Sequence, residues 1–413
     1  MLPASLRPLG SRNFALLWSA AFVSNVGTWV QSVALGVFVT ARTHQPVWTG
    51  LVAAAAFLPN GLLAPLGGAL ADRLDRRRWL MVTTAGEMAM AALLAVMAAT
   101  GTITPPLAVV VAFLGGCAGA VGFPAYQAML PDLVEHREDL LAAVSLSSAQ
   151  FNLGRVVGPA LAGVALGLGS YTAAFALNAV SFAAVLVALA LVVIPPPAPL
   201  QGPPRLLRRI AEGARAAARE PGCRSAIALI GVVALLASPF IALVPAMAID
   251  ALGLGGGHRG SVGTAVLVTA QGLGAVLAAL VLPGLARRYG RGRQVVTALL
   301  VLPAVLVLYA LAPTLWWSAV ALFLVGFTYL GVLSGLNTVV QLRAPEAVRG
   351  RVLGLFMLSL GTIYPIGAVV QGAIGGQVGV RAVTASAAVL LAVVLIGVAV
   401  VGRGRAFTAL GTV

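Results

Sequence analysis

Twelve stretches of this chain are long and apolar enough to belong inside a membrane. They run over about residues 14–40, 49–71, 79–99, 106–129, 140–167 and 171–194, then over about 224–249, 261–285, 294–312, 315–341, 352–376 and 382–401. Each is near or above the ~20 residues that carry a helix across a bilayer. No water is available there, so a spanning segment must close its own backbone hydrogen bonds, and helices are the expectation. Gly and Pro inside the segments are compatible with this, because small residues let membrane helices approach closely. Composition agrees, with 60% hydrophobic and 9% charged residues, where soluble chains carry about a quarter charged. Arg7 and Arg12 precede a first segment that is too long for the core of a signal peptide.

The charges that remain are placed with a strong bias. All 26 basic residues are Arg, and the net charge is +15. With the N-terminus inside, 22 arginines fall in inside segments, Arg42, Arg259 and Arg381 fall in outside loops, and Arg155 falls within a span. By the positive-inside rule both termini are expected in the cytoplasm. The same rule accounts for the basic excess without nucleic acid. The absence of Lys excludes a Walker-type nucleotide loop and any Schiff-base chemistry. Cys117 and Cys223 lie on different sides of several spans, so no disulfide is expected. His44, His136 and His258 fall in predicted loops without a second ligand at metal spacing. No cofactor, metal site or catalytic set is expected.

The chain repeats itself. Gln127-Ala-Met-Leu-Pro131-Asp132 closes the fourth span and Gln341-Leu-Arg-Ala-Pro345-Glu346 the tenth, 214 residues later. Gly158 and Gly372 share that offset, and the basic loop after the second span has a counterpart after the eighth. The copies differ where Asp72 of the first loop corresponds to Arg287 of the second. The expected architecture is therefore two pseudo-symmetric six-helix bundles, residues 1–194 and 224–413, joined by a linker at 195–223. Proline-rich at first, the linker continues as Arg205–Arg219, with Leu206, Leu207, Ile210 and Ala214 on one helical face. That pattern suits a helix lying on anionic headgroups.

Six charges crowd into seven residues after the second span, in Gly68-Ala-Leu-Ala-Asp72-Arg73-Leu-Asp75-Arg76-Arg77-Arg78. This pattern resembles motif A of the major facilitator superfamily. Gly154-Arg-Val-Val-Gly158-Pro159-Ala-Leu-Ala-Gly163 is similar to the motif C associated there with drug/proton antiporters, Ala162 replacing one Gly. Ser11–Trp18, Asn25–Gln31 and Asn152–Pro159 resemble the branch that holds macrolide efflux proteins, the enterobactin exporter and lysophospholipid transporters. The resemblance covers the whole chain. It implies that Gly68, Asp72, Arg73, Arg76, Arg77 and Arg78 form a gate, with Asp72 facing the start of the eleventh span near Arg349 and Arg351. It also implies a site near mid-membrane, between the two repeats.

Two charges lie deep in the spans, Glu87 and Arg155, and intramembrane ionisable groups default to functional hypotheses. Glu87 is the proton-carrier candidate of the first half. Arg155 continues a stripe of Ser145, Ser148 and Asn152 along one helical face; a ligand or proton-linked role and a structural role on nearby carbonyls are both open to it. Asp250, at the outer end of the seventh span, is a further proton-coupling candidate. The remaining polar and aromatic positions sketch a chamber: Asn25, Thr28, Gln31, Ser32, Tyr126, Ser148, Asn152, Arg155, Gln271, Tyr329, Asn337, Tyr364 and Gln371. Amides and hydroxyls in an apolar setting fit a large amphipathic substrate better than a sugar or compact ion.

The expected function is proton-coupled export of such a compound, a drug, a macrolide or a siderophore-like metabolite, from the cytoplasm of a bacterium across its inner membrane. A lysophospholipid or lipid transporter of the same fold is the alternative, and a non-transporting membrane sensor a more distant one. Expected partners are the small molecule, protons and membrane lipids, with no nucleic acid and with a monomer as the working unit.

Overall fold

The computed structural model describes residues 4–193, 206–401 and 405–411. The proline segment Pro195–Pro204, with Arg205 and Arg403, lies outside the described residues. Those described form helices α1 (Arg12–Thr43), α2 (Pro46–Ala71), α3 (Arg76–Ala99), α4 (Pro105–Leu133), α5 (Leu140–Gly167) and α6 (Tyr171–Leu191). After α7 (Leu206–Arg219) come α8 (Pro221–Leu236), α9 (Phe240–Ala246), α10 (His258–Tyr289), α11 (Arg291–Leu311), α12 (Leu315–Arg343), α13 (Arg349–Val378), α14 (Val380–Val401) and the short α15 (Arg405–Gly411). Twelve of the membrane candidates are long and apolar enough to cross a bilayer, α8 and α9 together making the seventh. The chain is a multi-pass membrane protein.

Local chemistry sets the helix ends. Asp75 caps α3 by accepting from the Arg78 backbone N–H at 2.9 Å, and Ser170 caps α6 through the Ala173 N–H at 2.9 Å. Pro105 opens α4, where a missing N–H costs nothing. A single residue separates α10 from α11 and α13 from α14. Both are glycines, Gly290 and Gly379, each at φ +88°, a backbone region that a side chain disfavours.

Contacts group the chain into two compact units, residues Met1–Phe38 with Ala55–Pro204, and Val39–Ala54 with Arg205–Val413. In the first unit α3 packs on α4 and α6, and the core gathers Phe14, Leu17, Leu80, Met129 and Leu189. Two arginines of the basic loop tie this end together. Arg76 donates to the Ala128 carbonyl at 3.1 Å and to Asp132 at 3.3 Å. Arg77 donates to the carbonyls of Leu189 at 2.5 Å and Ala190 at 2.8 Å. The last carbonyls of a helix lack intrahelical donors, and a guanidinium supplies them.

In the second unit α10 and α11 pack on α12, α11 on α14, and α8 on α13, around Leu229, Ile230, Leu299, Leu322 and Leu336. Arg381 here does what Arg77 does in the first unit, donating to the carbonyls of Ala312 at 2.7 Å and Ala251 at 3.3 Å.

Two features depart from the sequence reading. The seventh span is not one helix: it breaks between α8 and α9 and ends in a π-helical turn, Met247–Ala251. Pro239 removes a backbone donor at the break. And α7, expected on anionic headgroups, has protein against it. It lies on α13, with Gly213 against the Arg351 backbone, Ala217 buried, and Glu212 bonded to Arg351 at 2.6 Å. Small residues on one side of α7 allow that approach, while Arg215 and Arg219 stay exposed.

Candidate substrate-binding faces

In the first unit the motif C glycines set α5 against α1. A Cβ on Gly154 would stand 2.8 Å from the Asn25 amide nitrogen, and one on Gly158 would collide with Trp29. This close approach brings the Arg155 guanidinium over the Trp29 ring, 5.4 Å from its centroid. Phe151, one turn earlier on α5, meets the same indole edge-on at 6.4 Å. Asn25 donates to the Gln150 carbonyl at 3.3 Å, and Asn178 of α6 donates to Gln31 at 2.9 Å. Pro159 is buried and Gly163 half-buried on α5.

The hydroxyls on these helices are largely committed to their own backbone. Thr28 donates to the Ser24 carbonyl at 3.0 Å, Ser32 to Thr28 at 2.9 Å and Ser148 to Val144 at 3.0 Å. Asn152 reaches the Ser148 carbonyl at 2.9 Å. The face they share is therefore weakly polar, with its charge concentrated at Arg155. Tyr126 sits on α4, stacked near Phe123 at 6.5 Å.

Glu87 occupies a different place. It is half-buried on α3, its carboxylate 2.7 Å from where a Cβ on Gly119 of α4 would sit. Among the described residues no hydrogen-bond or salt-bridge partner faces it. Gly68 and Asp72 lie at the end of α2, the Asp72 N–H bonded to the Gly68 carbonyl at 3.0 Å. Arg73 and Arg78 are exposed.

In the second unit the break in the seventh span is the polar centre. The Gln371 amide, on α13, donates to the freed carbonyls of Leu235 at 2.9 Å and Leu236 at 3.0 Å. Ser238 lies 2.7 Å from the Tyr329 hydroxyl of α12, and Tyr329 meets Phe240 edge-on at 5.6 Å. Tyr364 packs beside the break with Ala234, Ala242 and Ala368. Gln271 is buried on α10 where its backbone meets Gly326, one turn from Tyr329, and its amide nitrogen has no partner among the described residues. Asn337 spends its carbonyl oxygen on Gln341 at 2.6 Å. Asp250 lies apart in the π-helical turn, exposed and 2.8 Å from His44. Ser238 and Pro239 are the pair that sequence reasoning passed over, although a Pro within an apolar segment is a signal for a broken helix.

Residues 3–405 match the model of the transmembrane secretion effectors. The chain belongs to that family. It is a branch of the major facilitator superfamily, whose members are transporters rather than enzymes. Among curated relatives, the enterobactin exporter EntS of Citrobacter koseri is 28% identical over 376 residues, 88% of this chain and 85% of the relative. The staphyloferrin A transporter of Staphylococcus aureus is 34% identical over 176 residues, and the match spans 44% of that protein. Solved structures share the fold of this secretion effector at low identity. A POT family transporter has a TM-score of 0.74 at 13% identity, covering 96% of this chain and 97% of its own. The nucleoside transporter NupG has 0.69 at 16%, covering 97% and 100%.

Proposed function

We propose that this secretion effector is a secondary active exporter of an amphipathic small molecule, a drug, macrolide or siderophore-like metabolite, driven by protons across a bacterial inner membrane. The observation that carries the substrate class is the state of its intramembrane hydroxyls. Thr28, Ser32, Ser148 and Ser334 all donate to a carbonyl one turn back on their own helix. Groups spent in this way offer little to a sugar, which needs many outward donors and acceptors. What remains outward is aromatic and aliphatic, which suits a large apolar body. Names of the relatives, an enterobactin exporter and a staphyloferrin A transporter, support a metabolite cargo and the outward direction.

Proton coupling is assigned to Glu87, an intramembrane carboxylate without a partner among the described residues. Arg155 and the residues around the break in the seventh span, with Gln271, Tyr329, Tyr364 and Gln371, are assigned to the substrate path. The motif A group is assigned to gating, with the arginine-rich ends and both termini in the cytoplasm. The test is flux of a dye and of a macrolide in proteoliposomes under an imposed pH gradient. Gradient-driven flux in wild type that Glu87→Gln abolishes, with substrate binding retained, is the expected result. Flux indifferent to the gradient would remove proton coupling. Movement of a labelled lysolipid, with no drug moved, would replace the cargo class.

A further inference from the structure

The basic loop after the second span and its counterpart after the eighth occupy the same place in the repeat, but they hold their charge differently. The first sets four arginines against Asp72 and Asp75, and spends Arg76 and Arg77 on Asp132 and on the closing carbonyls of α6. The second has Arg287, Arg288, Arg291 and Arg293 and no acid. All four are exposed, at the turn from α10 to α11. Among the described residues none of their guanidinium groups has an ion pair or a hydrogen bond.

The neighbouring helices supply no counter-charge. Neither α10 nor α11 contains an Asp or Glu, and nor do α12, α14 and α15, which pack against α11. Asp250 belongs to the turn that meets α10 at its opposite end, where Ile249 touches Gly260. Four like charges this close repel one another, and an anion from outside the protein relieves that cost.

Two further observations say what kind of anion. Arg288 lies over the Tyr289 ring, 5.3 Å from its centroid, and Tyr289 is 51% exposed. A tyrosine beside arginines at the end of a span is the composition of the headgroup level of a bilayer. From Arg287 and Arg288 the same face of α10 continues, at spacings of three and four, through Gly284, Leu280, Leu277 and Leu273. The three leucines are exposed, Leu280 by 74%, and a Cβ on Gly284 would meet nothing within 4 Å. The charged cluster therefore opens onto an apolar lane that runs into the membrane.

We propose that the α10–α11 turn is a docking site for an anionic phospholipid, its phosphate held among Arg287, Arg288, Arg291 and Arg293 and an acyl chain lying along Leu280, Leu277 and Leu273. The planar guanidinium fork matches a pair of phosphate oxygens. A free phosphate would answer the arginines alone, whereas a phospholipid answers the arginines and the lane together. The proposal goes beyond the transport reading and needs only that these helices span a bilayer.

Lipid retention, read by native mass spectrometry, tests this. The purified full chain in detergent is equilibrated with dioleoyl phosphatidylglycerol or dioleoyl phosphatidylcholine, which share their acyl chains and differ in net charge. An arginine at a bilayer surface contributes about fivefold in affinity for an anionic lipid, so wild type is expected to retain phosphatidylglycerol about tenfold or more over phosphatidylcholine. Arg287→Gln, Arg288→Gln, Arg291→Gln and Arg293→Gln together should bring that ratio close to one, in samples that elute as a single species. The same change at four other exposed arginines, Arg12, Arg137, Arg215 and Arg224, should leave most of it. Leu280→Gln should lower retention of phosphatidylglycerol with the arginines intact. Equal retention of both lipids by wild type overturns the proposal whatever the variants do, as does an equal loss for the two sets of four. Complete displacement of phosphatidylglycerol by inorganic phosphate, with Leu280→Gln silent, would make this a site for free phosphate and remove the lipid.

Discussion

A side chain at position 158 has nowhere to go, because its Cβ would overlap that of Trp29 on the neighbouring helix. Overpacking of this kind costs ~1–3 kcal/mol where the backbone must move. Gly158→Val should therefore lower the melting midpoint in detergent and loosen Arg155 from Trp29, read as a change in tryptophan fluorescence. Gly354→Val, within α13 where a Cβ would meet nothing within 4 Å, is the comparison, and an equal loss for both would refute the packing argument. The spacing of Gly154 and Gly158 was readable in the sequence as a close-approach signal. Their partners were not. Trp29 and Asn25 each lie 129 residues before the glycine they meet, a separation at which periodicity says nothing. The same limit hid the His44 contact that occupies Asp250, and the clasp of Gln371 on the two carbonyls.

Helix boundaries were legible because apolar runs end where charge begins. What was less legible is how the ends are joined. The basic loop reads, in sequence, as a topology signal. In the fold, two of its arginines are also fasteners, Arg76 reaching α4 and Arg77 the last carbonyls of α6. Removing Arg77 leaves the part-buried Leu189 carbonyl without its donor, at about 1–3 kcal/mol, while the exposed Ala190 carbonyl can turn to solvent. Arg77→Ala is thus expected to reduce stability at unchanged topology, with Arg77→Lys intermediate, as measured by thermal unfolding. Arg381→Ala should behave in the same way in the second unit, because it serves carbonyls at the ends of two elements there. No loss in either variant would return both arginines to the positive-inside rule alone. Residues Leu206–Arg219 are helical, but their amphipathic pattern does not say what the helix meets. A pattern gives the direction of a face, and α13 is what meets its Gly213 side.

Across the whole chain, the twelve spans and the internal offset of 214 residues were sufficient for the fold class, because a bilayer permits so few architectures. Orientation rests on the distribution of arginine and is open to direct measurement. In a background with Cys117 and Cys223 replaced, single cysteines at Arg42 and Arg287 should label from opposite sides of the membrane, Arg287 from the cytoplasm. Labelling of both from one side would invalidate the assignment. The seventh span carries a mechanical consequence of its interruption. A continuous helix is a rod: push one end and the other moves with it. With its last carbonyls held by Gln371, α8 is bolted to α13, while α9 starts afresh beyond Pro239. The joint is an elbow set in the core: Phe240, Leu243, Val244, Met247 and Ile249 beyond it are all buried, so the change of direction is held on both sides of the break.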